Sequence, residues 1–187
     1  MKTIRILVFV SLTLLPACSV KRIAVSKLGD ALASGGSTFT SDDDPELVRD
    51  ALPFSLKLIE RLLAESPRHQ GLLFAAASGF TPYAYAFVQQ RADEIEDRDL
   101  DRATAMRIRA RRLYLRARDY GIRGLEVTHP AFGSQLRRDA RVAVLVATLK
   151  DVPLLYWTAA PWGAAISLSK NDPDHSGLNR LGFSTRD

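Results

Sequence analysis

The sequence predicts an all-α domain of paired helices behind an export signal. Apolar residues recur three and four positions apart over several long segments. The main turn signals combine a helix-capping residue with a proline. With 187 residues, 47% of them hydrophobic, the chain is long enough for one domain with a substantial core. We divide it into a signal peptide (1–17), a lipidated flexible tether (18–41), a helical-repeat domain (42–174) and an irregular tail (175–187).

The N-terminus has the layout of a bacterial lipoprotein signal. Lys2 and Arg5 supply positive charge, residues 6–15 are uncharged and mostly apolar, and Ala17 precedes Cys18, the single cysteine. The apolar run is shorter than the ~20 residues that a membrane-spanning helix needs. We expect cleavage before Cys18 and acylation of its thiol, the alternatives being an ordinary signal peptide with an incidental cysteine and an uncleaved anchor. The next residue is serine rather than an aspartate retention signal, which favours the outer membrane.

The helical domain is predicted to begin at residues 42–46, three aspartates followed by Pro45 and Glu46. An aspartate can cap free amides, proline suits the first helical position, and acids favour the positive end of the helix dipole. We expect this helix to bend at Pro53. Ser66 is expected to end it, and the Ser66-Pro67 pair to start the next helix, with Ser66 as its cap.

The second predicted helix runs from about residue 67 to residue 97, and residues 71–90 carry no charge. Such a segment is buried either in protein or in lipid. Its glycine, proline and polar-tipped side chains favour burial in protein. Pro82 lacks a backbone amide, so we expect a kink near Ser78.

The third predicted helix, residues 102–123, places small and apolar residues on one face and arginines mostly on the others. One interpretation is a solvated surface whose arginines pair with nearby acids such as Asp119. The other is a basic patch for an acidic partner or for lipid head groups. Candidate residues for that partner surface are Arg109, Arg112 and Arg116.

Two further helices are predicted, one over residues 134–150 and one that starts at Val152-Pro153. Residues 169–174 then repeat the start signal of residues 41–46, which suggests a helical-repeat architecture. After residue 174 the helical periodicity ends.

Aromatic side chains are concentrated on the second and fifth predicted helices, and we expect Pro82 and Pro161 to interrupt the helices beside them. These aromatics either fill the core or line a cavity for an apolar ligand with a polar end. The candidate lining residues are Phe80, Tyr83, Tyr85, Phe87, Tyr156, Trp157 and Trp162.

Four segments together resemble the TatT family, the T component of tripartite ATP-independent periplasmic (TRAP) transporter systems: residues 42–54, 78–88, 111–121 and 155–163. The resemblance covers about Asp42 to Asp174. It implies a lipoprotein of divergent tetratricopeptide-like helix pairs that forms a homotrimer with an apolar-lined pore in each protomer. It also implies a periplasmic solute-binding protein as partner and hydrophobic organic acids as ligands. Family members continue with more helices, so the resemblance implies a C-terminally truncated chain.

The sequence does not favour an enzyme or a metal or cofactor protein. Its three histidines are not at metal-ligand spacing, and it contains no glycine-rich phosphate loop and no nucleophile elbow. A formal net charge of +5 in an exported protein does not argue for nucleic acid. We expect a transport accessory protein, and the alternative is a structural envelope lipoprotein that acts as a scaffold. An apolar tunnel would favour the transport accessory protein, and a filled core with a polar groove would favour the scaffold.

Overall fold

A computed structural model describes residues 27–31 and 41–169. Within these ranges the chain is helical apart from short turns and contains no strand, which confirms the all-α prediction. The pairing into tetratricopeptide-like repeats stays a prediction. The predicted signal peptide, Cys18 and the predicted tail lie outside the described residues.

Seven α-helices follow one another from residue 45 onward. They are α1 (Pro45–Glu65), α2 (Gln70–Ala84), α3 (Gln90–Ile95), α4 (Leu100–Thr128), α5 (Phe132–Arg138), α6 (Ala140–Ala143) and α7 (Val152–Ser169). A π-helical turn (Tyr85–Gln89) joins α2 to α3, and two 3-10 turns (Val144–Val146 and Leu149–Asp151) lie between α6 and α7.

Helix α1 begins where the sequence predicts. The Asp44 carboxylate accepts hydrogen bonds from the amides of Glu46 and Leu47, both at 3.0 Å. Ser66 closes α1, because its amide donates to the Leu62 carbonyl. The prediction that Ser66 caps the second helix is therefore wrong.

The cap of α2 is His69, three residues beyond the predicted one. Its Nδ1 accepts a hydrogen bond from the Leu72 amide at 3.2 Å, so the helix starts at Gln70. The region from Gln70 to Ile95 is long and apolar enough to cross a membrane. Its apolar side chains instead pack in the core, as predicted: Leu72, Leu73, Ala76, Ala77, Phe80, Ala84 and Val88 are all buried.

Proline interrupts the helices less than the sequence suggests. Helix α2 continues through Pro82 to Ala84, and a π turn follows it. The kink expected near Ser78 stays a prediction. Helix α7 likewise runs through Pro161, whose side chain is buried. The expected interruption at Pro161 is therefore wrong. The buried positions of α7 recur every three or four residues, so the proline lies on its inward face.

The predicted fourth helix, residues 134–150, is broken into short pieces. Asp139 adopts an extended backbone, and its carboxylate accepts hydrogen bonds from the Arg141 and Val142 amides at 2.8 and 3.4 Å. This cap ends α5 and starts α6, because an aspartate that bonds the next amides competes with helix continuation.

Helix α4 lies antiparallel to both α2 and α7. The start of α2 meets the end of α4 where Gln70 Nε2 donates to the Gly124 carbonyl at 3.3 Å. Gly121 lies so close to α7 that an added Cβ would come within 2.2 Å of Thr158 Oγ1. The small residues of α4 therefore permit the close helix approach that the sequence predicts for that face.

Residues 27–31, which belong to the segment predicted as a tether, form a helical turn that packs at the start of α2. Gly29 is buried there, beside the side chains of His69 and Leu72. Asp30 pairs with His69, with an O–N distance of 3.4 Å. This part of the leader is thus held at the end of the bundle where α1 ends and α2 begins.

Candidate functional site

The most distinctive surface feature is a groove on α4, which we call the arginine groove. Its volume is about 440 Å³, and its walls are Arg112, Leu115, Arg116, Asp119, Tyr120 and Arg123. The predicted partner surface includes Arg112 and Arg116 but not Tyr120 or Arg123. Those two follow Arg116 at helical spacings of four and seven, and this period could have identified them. Three arginines thus face a groove that contains one carboxylate.

That single carboxylate does not neutralise the groove arginines. Asp119 pairs with Arg118, outside the groove, at 2.7 Å. The predicted pairing of an arginine with Asp119 is thus present, but at a neighbouring residue. Within the described residues no carboxylate pairs with Arg112, which is exposed. Its guanidinium is available to a partner.

The other two groove arginines are held in place by the core elements around them. Arg116 lies 3.5 Å from a Glu60 oxygen, and its guanidinium is 5.4 Å from the centre of the Phe80 ring. Arg123 donates to the Pro67 carbonyl at 3.2 Å and lies 5.2 Å from the Tyr120 ring. The groove therefore presents two oriented guanidinium groups and a third that is free to move.

Glu60 and Tyr120 form the floor contact between α1 and α4. The Tyr120 hydroxyl donates to Glu60 at 2.8 Å. Burial, followed by this hydrogen bond, raises the pKa of Tyr120 to about 12. Burial opposes ionisation of Glu60, but hydrogen bonds from Lys57 and Tyr120 and the Arg116 charge outweigh it and lower the pKa of Glu60. Beneath the groove, this contact is thus a carboxylate with a neutral phenol at physiological pH.

Arg109, the third predicted partner residue, lies outside the groove, one turn before Arg112. It is exposed, and its guanidinium donates to the Tyr83 hydroxyl at 3.2 Å. Arg107 shows the opposite situation, because it pairs with Asp93 at 2.8 Å and Glu96 at 2.6 Å. These hydrogen bonds raise the pKa of Arg107. In the part of the chain that the structure describes, no carboxylate therefore pairs with Arg109, Arg112 or Arg123, while Arg107 is neutralised.

The predicted lining aromatics occupy several places rather than one. Phe80 is buried and stacks on Tyr120, with ring centres 6.0 Å apart. Tyr83 and Phe87 are half-buried, and their ring centres lie 5.9 Å apart. Tyr85 is exposed.

On α7, Tyr156 and Trp157 contact edge to face, with ring centres 5.0 Å apart. Tyr156 is exposed, and Trp157 is half-buried. Trp162 lies 5.5 Å from the Arg118 guanidinium. Tyr83 thus meets Phe87, and Tyr156 meets Trp157, but neither pair lines the arginine groove. Their role as ligand contacts stays a prediction.

A second cavity, of about 460 Å³, lies where α2 begins, α4 ends and α7 begins. Its walls are Gln70, Gly71, Phe74, Thr128, His129, Thr148, Lys150, Asp151, Pro153 and Leu154. Asp151 is buried there, and its Oδ2 accepts hydrogen bonds from the Thr148 amide at 2.8 Å and the Thr148 hydroxyl at 2.9 Å. The same oxygen lies 2.9 Å from His129 Nε2. The sequence does not predict this contact, because His129 lies 22 residues from Asp151 along the chain.

Asp151→Asn is expected to destabilise the fold by about 1–2 kcal/mol at neutral pH, because it weakens charge-assisted hydrogen bonds to a buried acceptor. The Thr148 amide, and then His129, lower the pKa of Asp151 despite its burial. A carboxyl group whose pKa is lower in the folded state than in the unfolded state stabilises the fold at any pH above its unfolded-state pKa. That stabilisation is lost as the pH falls through the folded-state pKa. Urea unfolding of Asp151→Asn should therefore change less between about pH 5 and pH 3 than unfolding of the unaltered protein. The exposed Asp43→Asn is the control, and an equal acid dependence in Asp151→Asn would contradict the assignment.

The described residues contain no group of three or more histidine, cysteine or acidic side chains that could hold a metal ion. The arrangement of the arginine groove instead suits an anionic surface, because planar guanidinium groups bind carboxylates through paired hydrogen bonds.

Residues 41–180 match the family described as TAtT, TRAP transporter T-component. The chain belongs to the TRAP transporter T-component family. This membership confirms the resemblance and supports an accessory role in TRAP transport, with a periplasmic or membrane-associated location. It outweighs the shape of the surface, because a charged groove beside a packed core is the arrangement expected of a scaffold. The family is a transport accessory family and is not known as enzymatic.

A protein of Treponema pallidum (strain Nichols), described as uncharacterized, is 32% identical to the chain over 179 residues. The aligned region is 86% of this chain and 55% of that relative, so the chain spans about half the length of this relative.

Proposed function

We propose that this T component docks the periplasmic solute-binding protein of a TRAP transporter through the arginine groove and Arg109. The observation that carries the proposal is the row of guanidinium groups on one face of α4. Among the described residues no carboxylate pairs with Arg109, Arg112 or Arg123, and Arg116 pairs with Glu60. Arg109, Arg112, Arg116 and Arg123 recur at three, four and seven residues along a single helix, so they form one stripe.

A protein with an acidic patch would fit this stripe. Complementary charge accelerates encounter and selects the correct partner more than it adds affinity. The Tyr120 ring at the groove floor and the partly buried Leu115 add apolar contact beside the charges. Arginine and tyrosine are also the residue types that most often dominate binding energy at interfaces.

The anchor belongs to the same proposal. Acylation of Cys18 and attachment to the outer membrane are supported by the signal layout at the N-terminus. Family membership supports the solute-binding protein as the partner. The hydrophobic ligand and the homotrimer implied by the resemblance stay predictions.

The combined substitution of Arg109→Glu and Arg112→Glu is expected to weaken binding of the solute-binding protein at least about tenfold, because two attractive charges become repulsive. Titration calorimetry at low and high salt measures the effect. The affinity of the unaltered protein should fall with salt, because the Debye length shrinks from ~10 Å at 0.1 M to ~3 Å at 1 M.

The matched control combines Arg49→Glu on α1 with Arg91→Glu on α3, both exposed. This control changes the net charge of the protein by the same amount as the α4 variant, but on α1 and α3 instead of on α4. If the control weakens binding as much as the α4 variant, the effect is one of overall charge and the groove is not the docking site. Affinity that ignores both the α4 substitutions and salt would remove the arginines from the interface altogether.

A further inference from the structure

One end of the bundle carries an exposed apolar surface between α5 and α7. We call it the basal tip and define it by Val142, Val144, Leu145, Val146 and Leu149. Leu145 is 80% exposed and Leu149 91% exposed. Their neighbours Phe132, Ala143 and Leu154 are buried in the core cluster beneath. The tip residues therefore point away from a core that is already filled.

Basic side chains flank this apolar surface. Arg137 and Arg138 precede it at the end of α5, Arg141 lies in α6, and Lys150 follows Leu149, and all four are exposed. Of the acids in this segment, Asp151 is engaged by Thr148 and His129, and the exposed Asp139 caps α6 through the Arg141 and Val142 amides. An apolar tip within a ring of lysine and arginine is the arrangement of protein surfaces that rest in the head-group region of anionic bilayers.

The leader of the chain enters the bundle at the same end. The helical turn at residues 27–31 contacts His69 and Leu72 at the start of α2. The second cavity joins that start, through Gln70 and Gly71, to Thr148 and Lys150 beside the tip. Lys27 follows Cys18 by nine residues, a length of chain that spans at most about 30 Å. An acyl chain on Cys18 would therefore hold this end of the bundle near the membrane.

We propose that the basal tip lies in the head-group region of an anionic membrane, so that the domain stands with α7 and α4 rising from the lipid surface. The tip and the lipid anchor then act together, because one acyl chain or one shallow apolar contact alone gives weak, reversible binding. The orientation rests on the proposed acylation of Cys18. It leaves the arginine groove, on the side of the bundle, accessible to a periplasmic partner.

The test uses the full chain, purified from membranes in detergent and reconstituted into vesicles of phosphatidylethanolamine with phosphatidylglycerol. Leu145→Cys and, separately, Leu100→Cys are labelled with a thiol-reactive, environment-sensitive dye. Leu100 is a matched control, since it is an exposed leucine at the start of α4, at the opposite end of the bundle. The protein without an added cysteine reports on the anchor, because an acylated Cys18 takes up no dye.

We expect dye at position 145 to shift its emission to shorter wavelength on vesicles and to be quenched several-fold less by aqueous iodide than dye at position 100. Replacing phosphatidylglycerol by phosphatidylcholine should reduce the shift, because the flanking cations lose their anionic partners. Equal quenching at positions 145 and 100 overturns the proposal. The dye at position 145 should stay protected from iodide when the protein is diluted at constant lipid. Loss of that protection also overturns the proposal, because a second copy of the chain would then cover the tip.

A failed anchor is recognised separately. If the protein without an added cysteine takes up dye, Cys18 carries a free thiol and the proposed acylation is wrong. Purified Leu145→Asp combined with Leu149→Asp provides the second variant, and it should fold normally because both positions are exposed. Val142→Cys is labelled with the dye both alone and together with the two aspartate substitutions. The dye should be protected from iodide in the first protein and not in the second. Retained protection would contradict a lipid contact at the tip.

Discussion

Phe80→Ala is expected to lower the free energy of unfolding by about 3–5 kcal/mol, the usual loss for truncation of a buried phenylalanine. Phe80 is 3% exposed, stacks on Tyr120 and lies beneath Arg116. Its removal would leave a cavity between α1, α2 and α4 and would also release the groove arginine above it. Urea or thermal unfolding followed by circular dichroism measures the loss.

The matched control for Phe80 is Phe54→Ala on α1, whose side chain is 74% exposed. That variant should stay within about 0.5 kcal/mol of the unaltered protein. The comparison also decides between the two interpretations of the aromatic residues. A small loss for Phe80→Ala, together with altered uptake of a fluorescent fatty acid, would make Phe80 a ligand contact and would contradict its assignment to the core.

Gly121→Leu is expected to cost about 3 kcal/mol, at the upper end of overpacking effects. A Cβ at this position would lie 2.2 Å from Thr158 Oγ1 and 3.1 Å from the Thr158 Cα. The backbone atom cannot move aside by rotation, so α7 must shift away from α4. The higher helix propensity of leucine returns less than about 1 kcal/mol of that loss. Thermal unfolding measures the change.

The control for Gly121 is Gly163→Leu in α7, where an added Cβ meets no atom within 4 Å. This substitution should be neutral or stabilise by up to about 1 kcal/mol, because it removes a glycine from a helix interior. The smaller substitution Gly121→Ala should also destabilise the fold. Thr158→Ala should partly restore the lost stability, since it removes the nearest clashing oxygen. No rescue, with Gly121→Ala as stable as the unaltered protein, would show that α4 and α7 do not pack this closely in solution.

The arginine groove shows how far a helical pattern reaches from sequence. The face of α4 that carries Arg109, Arg112 and Arg116 follows from the helix period alone. Which of these arginines stay free does not. Arg116 meets Glu60 from α1, and Arg107 meets Asp93 and Glu96. Such pairs depend on how separate helices pack, so only the tertiary structure identifies the unneutralised charge.

The sequence by itself determined the all-α class, the start of α1 at Asp44-Pro45, the burial of the uncharged part of α2 and the start of α7 near Val152. Each is set by residues within a few positions of one another, through capping, periodicity and burial. The tertiary structure decided the break at Asp139, the uninterrupted helix at Pro161, the stacking of Phe80 on Tyr120, and the His129–Asp151 contact. Those outcomes depend on contacts between residues far apart in the chain, because a packed neighbour can override local propensity and align side chains that no local pattern relates.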